Sequence, residues 1–126
     1  MVRLHTQIIC LMMFLLISPA TAETLNLQVE SGTISGAYDS PQNGQAMLNI
    51  TKQSSHDFAD FTSRHIGEKV IFLIDNKVMF TPVIKSPIQT KYIPISFPMT
   101  TGEWSRTIAN LVKGVSVLQV RSNNSK

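Results

Sequence analysis

The residues best suited to chemistry lie in one short stretch, from His56 to His65. On a helix, the spacing of four between His56 and Asp60 puts an imidazole and a carboxylate on one face, which is compatible with a metal site. No third ligand is close, since His65 lies about a helix length away. We therefore favour a solvated helix face, with Asp57 and Asp60 near the positive end of the helix dipole.

Ser63, His65 and Asp75 together contain the side-chain types of a nucleophilic triad. Ser63 does not lie in the strand-turn-helix motif that exposes a catalytic serine, and three such residues occur by chance in most chains. The acidic pair Glu30 and Asp39 lies in a segment rich in turn residues, where side chains are poorly positioned for acid/base work. The sequence therefore predicts a protein that is not an enzyme, without catalytic residues, metal ligands or a bound cofactor.

The N-terminus has the pattern of a secretory signal. A basic first segment is followed by an apolar run, Ile8–Ile17, and then by the small residues of Ala20–Ala22, which a signal peptidase requires. The apolar run is too short to span a bilayer comfortably. We predict that residues 1–22 are a signal peptide, cleaved before Glu23, and that the mature protein is periplasmic. An uncleaved signal that acts as a membrane anchor is the alternative.

Cysteine content and charge further narrow the classes of protein to which this chain could belong. The single cysteine, Cys10, lies inside the predicted signal, so the mature chain would form no disulfide. The formal net charge of +3 becomes +2 when Arg3 is removed, and the remaining basic residues are scattered without a run or a stripe. This pattern argues against nucleic-acid binding. Beyond the signal, no segment is apolar for long enough to cross a membrane.

The rest of the chain divides by pattern. Residues 23–45 form an arm in which apolar and polar residues alternate from Leu25 to Val29, typical of an edge strand or a mobile arm, and a loop rich in turn residues follows. Residues 46–121 have the regular patterns of a folded domain. Residues 122–126 are predicted to be a polar tail.

A first helix is predicted after a strand at Met47–Thr51. Ser54 or Ser55 is expected to be its N-cap, which places Asp57 in the first turn, where a carboxylate is favoured. Gly67 can end the helix region in a left-handed conformation.

A second helix is predicted from a capping box, in which the Thr100 hydroxyl caps the first turn and Glu103 reaches back to the Thr100 amide. Gly114 is expected to end this helix. An apolar stripe at i, i+4, i+7 and i+8 consists of Trp104, Ile108, Leu111 and Val112. A last strand is predicted over residues 115–120.

Two further patterns indicate strands. Val70–Ile84 reads as a β-hairpin, and Asp75 and Asn76 at its centre tolerate the positive φ that a tight turn requires. Tyr92–Phe97 alternates between the two faces of a strand, and Pro94 within it favours a position at the edge of a sheet.

The order of elements from residue 46 is therefore β-α-β-β-β-α-β. Two amphipathic helices can cover one face of a mostly antiparallel sheet. This predicts an α+β fold, a ferredoxin-like split βαβ sandwich with an extra N-terminal strand. The aromatic residues expected in the core are Trp104, Phe58, Phe61 and Phe72. Those that could form an exposed apolar strip are Phe80, Tyr92 and Phe97.

An exposed sheet edge beside apolar side chains can recruit an extended peptide by strand addition. We expect this mechanism at the predicted edge strand, because it is the binding surface that the sequence offers. The candidate contact residues are Tyr92, Ile93, Ile95 and Phe97.

The stretch Phe58–Val120 resembles the head subdomain of the first periplasmic domain of SecD and SecDF, which are bacterial protein-export membrane subunits. That family typically has a helix end reading N-I-G-K, a hairpin reading like A-I-V-L-D-G-K-V-I-S-A-P-V-I, and a later helix ending L-x-x-G. The matching segments here are Phe61–Thr62, His65–Lys69, Ile71–Val78, Thr81–Ile84, Pro87–Ile88 and Leu111–Gly114. The turn glycine of the family is Asn76 here, and its glycine-rich connection is replaced by Gln89–Lys91.

The resemblance implies a head-like fold in the periplasm and contact with translocating or unfolded polypeptide. The proton pathway of the exporter subunits lies in their membrane part, so proton-driven export is not implied. We therefore expect a non-enzymatic exported domain that binds a protein or peptide. The alternative is a small inhibitor or immunity-type protein with one specific partner, while a small hydrolase is disfavoured by the missing catalytic residues.

Overall fold

The computed structural model of the protein describes residues 22–35 and 44–123, so most of the predicted signal and the end of the polar tail lie outside the described residues. Seven strands and two helices occur within the described ranges. In chain order they are β1 (Thr24–Leu27), β2 (Val29–Ser35), β3 (Gln45–Ile50), α1 (Lys52–Arg64), β4 (Val70–Ile74), β5 (Lys77–Phe80), β6 (Tyr92–Ser96), α2 (Thr101–Lys113) and β7 (Leu118–Ser122).

The strands form two antiparallel sheets. One has the strand order β1-β7-β4-β5 and the other has the order β2-β3-β6. The predicted α+β class and the element order from residue 46 are confirmed, but two N-terminal strands, β1 and β2, precede β3 where one was expected. The strands are divided over two sheets, where a single layer was expected, and both sheets and both helices contribute to one apolar core.

The division begins at Gln28, between β1 and β2. Its N–H donates to the Ser54 hydroxyl at 2.8 Å, and its carbonyl accepts from the Thr51 N–H at 3.0 Å. Both backbone groups of Gln28 are therefore bonded to the start of α1 instead of a neighbouring strand. The ladder stops at this residue, and the chain passes from one sheet to the other.

Helix α1 begins earlier than the sequence pattern indicates, because Thr51 is its N-cap and accepts from the Ser54 N–H at 3.1 Å. The prediction of Ser54 or Ser55 as N-cap is wrong, since both are buried inside the first turn and bond to other segments. Asp57 consequently lies beyond the first turn. Gly67 has the predicted left-handed conformation, with φ of 84°, but it does not end the helix, which stops at Arg64 with His65 as its C-cap.

Helix α2 has the predicted caps. The Glu103 N–H donates to the Thr100 hydroxyl and the Thr100 N–H donates to the Glu103 carboxylate, each at 3.1 Å. Gly114 closes the helix with φ of 80°. The apolar stripe is correct except for Val112, whose side chain is exposed.

The contact between α2 and β2 is made at a glycine. A Cβ atom at Gly32 would lie 3.0 Å from a side-chain carbon of Ile108, which is tighter than an ordinary van der Waals contact. The missing side chain therefore allows the half-buried Ile108 to pack directly on the backbone of β2.

The β4–β5 hairpin turns at Asp75 and Asn76, whose φ values of 49° and 67° confirm the predicted turn. The Asp75 carboxylate also accepts from the Ser116 hydroxyl at 2.6 Å and from the Val117 N–H at 3.0 Å. These bonds hold the segment after α2 against the turn, and β7 begins at Leu118, later than predicted.

The aromatic core is largely as predicted. Trp104, Phe58, Phe61 and Phe72 are buried, Phe80 and Phe97 are half-buried, and Tyr92 is exposed. The indole nitrogen of Trp104 is buried without a hydrogen-bond partner in the described part of the chain. An unsatisfied buried donor costs about 1–3 kcal/mol, so apolar contacts of the ring must outweigh this cost.

The role of Ser54 at the crossover can be tested by Ser54→Ala. The substitution leaves the Gln28 N–H without its acceptor, and we expect a loss of about 1–2 kcal/mol in the free energy of unfolding, measured by urea denaturation. Ser63→Ala is the matched control, because the Ser63 hydroxyl is exposed and bonds only to Ala59 of its own helix. Equal losses in both variants would contradict the crossover role.

Candidate functional site

The predicted contact residues all lie on or next to β6, which is an edge strand of its sheet. Tyr92 is 56% exposed, but Ile93 and Ile95 are buried in the core. Phe97 is half-buried, with the Lys77 ammonium 4.6 Å from the centre of its ring. Alternation along the strand explains this separation, because Ile93 and Ile95 share the inward face.

The backbone of β6 bonds to β3 at alternate positions. The Lys91 carbonyl accepts from the Ile50 N–H at 2.8 Å, and the Phe97 N–H donates to the Gly44 carbonyl at 3.2 Å. Because bonded and non-bonded pairs alternate in an antiparallel ladder, the odd-numbered positions face β3. A proline at Ile95 would therefore break the ladder between β6 and β3, whereas the free edge of β6 would keep its backbone groups.

The free edge of β6 is formed by its even-numbered residues and offers few donors. Pro94 has no N–H. The Tyr92 N–H donates to the Thr90 hydroxyl at 3.1 Å, and this hydroxyl donates to the Tyr92 carbonyl at 3.3 Å. Ser96 is the donor that remains on this strand. The edge is therefore poorly suited to the addition of a continuous peptide strand.

An apolar groove of about 150 Å³ lies beside this edge, between β6 and β5. Only apolar atoms are exposed inside it. The residues that line it are Phe58, Phe72, Phe80, Pro82, Ile84, Ile88, Thr90, Tyr92, Ile93 and Pro94. The groove is smaller than the roughly 300 Å³ at which small-molecule sites begin, so its size suits one apolar side chain.

Stacked aromatic rings form the inner wall of the groove. The rings of Phe72 and Phe80 are nearly parallel, with centres 4.4 Å apart, and Phe58 meets Phe72 edge-on at 5.8 Å. Phe72 and Phe80 face each other across the β4–β5 ladder. Because two paired strands and α1 fix the positions of these rings, the wall of the groove is already formed before a ligand binds.

The outer wall of the groove is the loop between β5 and β6, and buried hydroxyls of α1 hold it in place. The Ile88 N–H donates to the Thr62 hydroxyl at 2.8 Å, and the Ser55 hydroxyl donates to the Thr90 carbonyl at 2.8 Å. The loop is thereby fixed without regular secondary structure. Sequence periodicity does not predict an irregular loop that packs in this way. The one indication in the sequence is that Ser55 and Thr62, seven residues apart, place two hydroxyls on the same buried face of α1.

The triad considered from the sequence is not assembled. The Ser63 hydroxyl donates to the Ala59 carbonyl, whereas Asp75 lies at the far end of β4 and bonds to the segment after α2. His65 lies between two carboxylates, with Nε2 2.7 Å from Glu23 and Nδ1 3.1 Å from Glu68. Within the described residues, both ring nitrogens of His65 therefore contact carboxylates, and the Ser63 hydroxyl bonds elsewhere.

The metal site considered from the sequence is not formed either. His56 is exposed, and within residues 22–35 and 44–123 no three His, Cys, Asp or Glu side chains converge on a point that could hold an ion. Glu23 and Glu68 approach opposite nitrogens of the His65 ring, so one ion could not bind both carboxylates through this histidine.

Glu23 joins the start of β1 to the end of α1. Its carboxylate accepts from Arg64 and from His65, and these hydrogen bonds lower the pKa of Glu23 below its ordinary value of 4.5, with Arg64 as the larger cause. The same contact raises the pKa of Arg64. The Glu23 N–H donates to the buried Ser122 hydroxyl at 2.8 Å, so the backbone of this residue is also fixed.

The fold places the protein among α+β domains with two antiparallel sheets. The domain is SecD-like: over 49 residues, 37% of this chain, the sequence is 43% identical to the protein translocase subunit SecD of Dictyoglomus turgidum. No known family profile matches the chain. The chain covers 12% of the length of that SecD subunit, so the likeness concerns a segment of the relative.

Two solved structures of SecDF have a similar fold. One is of SecDF as a membrane component that enhances protein export, with a TM-score of 0.52, and the other is of a super-membrane-facing form, with a TM-score of 0.51. Each is 21% identical and covers 68% of this chain, and the chain covers 38% and 11% of the two SecDF chains. These similarities agree with the resemblance read from the hairpin and helix-end motifs. Neither helix in the described ranges is both long and apolar enough to cross a membrane.

The contact between Glu23 and α1 predicts a pH-dependent contribution to stability. Because the pKa of Glu23 is lowered on folding, the contribution is present above the ordinary pKa of 4.5 and is lost as the pH falls through the lowered value. Glu23→Gln should reduce the free energy of unfolding at pH 7 by up to about 1 kcal/mol, because the pair is largely exposed. The difference from the unmodified protein should disappear in acid.

Urea denaturation at both pH values measures this effect. Glu30→Gln is the control, since Glu30 and Lys91 approach only to 4.0 Å and both side chains are about half exposed. A loss of stability in Glu23→Gln that is the same at pH 7 and in acid would contradict an ionic origin.

Proposed function

We propose that this chain is an exported, non-enzymatic domain that binds extended or unfolded polypeptide in connection with protein export. The similarity to SecD supports this proposal, because that relative is a protein translocase subunit and the SecDF of similar fold is described as enhancing protein export. The observation that carries the proposal is the apolar groove between β5 and β6.

The groove favours side-chain insertion over strand addition as the binding mechanism. Pro94 and Thr90 remove or occupy backbone groups on the free edge of β6, whereas the adjacent groove offers only apolar surface. The proposed contacts are therefore Tyr92, Phe80 and Ile88. Ile93 contributes to the floor of the groove, and Ile95 acts through the core.

Affinity at such a groove is expected to be low. Full burial of one Leu, Ile, Phe or Met side chain contributes about 1.5–3 kcal/mol. Association costs about 4–15 kcal/mol in lost freedom, so a single inserted side chain does not give tight binding. A polypeptide would need several weak contacts, and many different apolar sequences would satisfy one groove.

Export is supported by the signal-like pattern of residues 1–22. Cleavage before Glu23 would leave its carboxylate bonds to α1 and its backbone bond to Ser122 in place. We expect N-terminal sequencing of the protein recovered from the periplasm to begin at Glu23. A start at Met1 with retention in the membrane fraction would support the anchored alternative.

Tyr92→Ser tests the groove, because the exposed ring can be removed with little effect on the core. We expect binding to an unfolded, cysteine-alkylated polypeptide, measured by fluorescence anisotropy, to weaken about fivefold to tenfold, the equivalent of about 1–1.4 kcal/mol. Val115→Ser is the control, since Val115 is 72% exposed and lies outside the groove.

Equal binding by all three proteins, or equal weakening by both substitutions, would contradict the groove as the site. Capture of one partner at nanomolar affinity and fixed stoichiometry, with no binding to unfolded polypeptide, would instead favour the inhibitor-type alternative.

A further inference from the structure

A second cleft, of about 320 Å³, lies at the other end of β5, between the β4–β5 turn and helix α2. One wall is a polar face of α2, formed by residues at i, i+3, i+4 and i+7, namely Glu103, Arg106, Thr107 and Asn110. Met79, Met99 and Ile74 supply buried apolar surface. The cleft thus combines a polar wall with an apolar floor.

Both carboxylates that border this cleft already accept hydrogen bonds within the chain. Asp75 accepts from Ser116 and Val117, and Glu103 accepts from the Thr100 N–H in the capping box. The bonds from Thr100 lower the pKa of Glu103, and the nearby charges of Lys77 and Arg106 contribute further. The two acids therefore have structural partners.

The donors of the cleft are not committed in the same way. In the described part of the chain, no carboxylate lies within ion-pair distance of Lys77 or Arg106, and the side chains of Thr107 and Asn110 form no hydrogen bond. The Lys77 ammonium lies 4.6 Å from the centre of the Phe97 ring, and its charge also acts on the Glu103 carboxylate. An acceptor-rich, negatively charged group is the chemistry that this set of donors fits.

We propose that this cleft binds the free carboxylate at the C-terminal end of a peptide whose last side chain is apolar. Lys77, Arg106 and Asn110 would hold the carboxylate, while the last side chain would lie on the Met79 and Met99 floor. Methionine side chains adapt to different apolar shapes, so the last residue can vary. Capture of a terminal carboxylate is an established mode of peptide recognition. The proposal does not depend on the groove at Tyr92.

The negative charges of Asp75 and Glu103 oppose such a ligand and provide a sharp test. Asp75→Asn removes one of these charges, and asparagine tolerates the positive φ that the turn requires. If the ligand is an anion, this variant binds it more tightly. A cationic ligand would bind the same variant more weakly.

The experiment is a titration of the full domain, followed by NMR signals of the methionine methyl groups and the Arg106 side chain. The probe is acetyl-Gly-Ser-Gly-Ala-Leu with a free carboxylate, compared with the same peptide as its C-terminal amide. We expect amidation and Arg106→Gln each to weaken binding at least about tenfold, and Asp75→Asn to strengthen it. Arg121→Gln is the control, because Arg121 lies on β7 away from the cleft.

Equal binding of acid and amide, or no effect of Arg106→Gln, would overturn the proposal. Octanoate supplies the same carboxylate on an apolar chain, and binding of octanoate without binding of the peptide acid would overturn the peptide assignment. These outcomes leave the groove proposal testable, since an unfolded polypeptide amidated at its C-terminus would still bind at Tyr92.

Discussion

Buried hydroxyl groups hold together the parts of this fold that regular ladders do not reach. Ser54 accepts from the backbone at the crossover between the sheets, and Ser55 and Thr62 fix the loop that walls the groove. Ser122 accepts from the backbone at Glu23. Each of these hydroxyls is at least nine-tenths buried, so the loss of any one leaves a polar backbone group without an easy replacement.

Three of these hydroxyls belong to α1, which therefore acts as more than a cover for a sheet. Its first turn stops the β1 ladder at Gln28, and Ser55 in that turn and Thr62 near the end of the helix position the loop before β6. Its end meets Glu23 through Arg64 and His65. The apolar groove is bounded on one side by the loop that this helix fixes and on the other by the aromatic wall that Phe58 supports.

Local features of the fold could be predicted from the sequence, because their cause lies within a few residues. The positive φ values at Asp75 and Asn76 and the capping box at Thr100 follow from residue types alone. The SecD-like motifs could be recognised in the sequence for the same reason, because they lie in one hairpin and at two helix ends. The division into two sheets could not be predicted from the sequence, because it depends on which strands pair across long stretches of chain.

The main errors in the predictions from sequence concern the cap of α1 and the contact residues on β6. Ser54 and Ser55 are residue types that commonly cap helices, but here both are buried and their hydroxyls form hydrogen bonds to Gln28 and Thr90 in other segments. The predicted edge strand is β6, but Ile93 and Ile95 are not surface contacts, because alternation along the strand places both on the inward face. The same period of two applies to the backbone groups, so the missing N–H of Pro94 is on the free edge of β6.

The sparse donors of the β6 edge have a consequence for aggregation. A protein with an exposed apolar groove beside a fully equipped strand edge would present unfolded chains with a template for intermolecular β structure. Here Pro94 and the hydroxyl of Thr90 interrupt that template next to the groove. In the proposed binding mode, apolar side chains enter the groove while the backbones of the bound chains meet an interrupted strand edge.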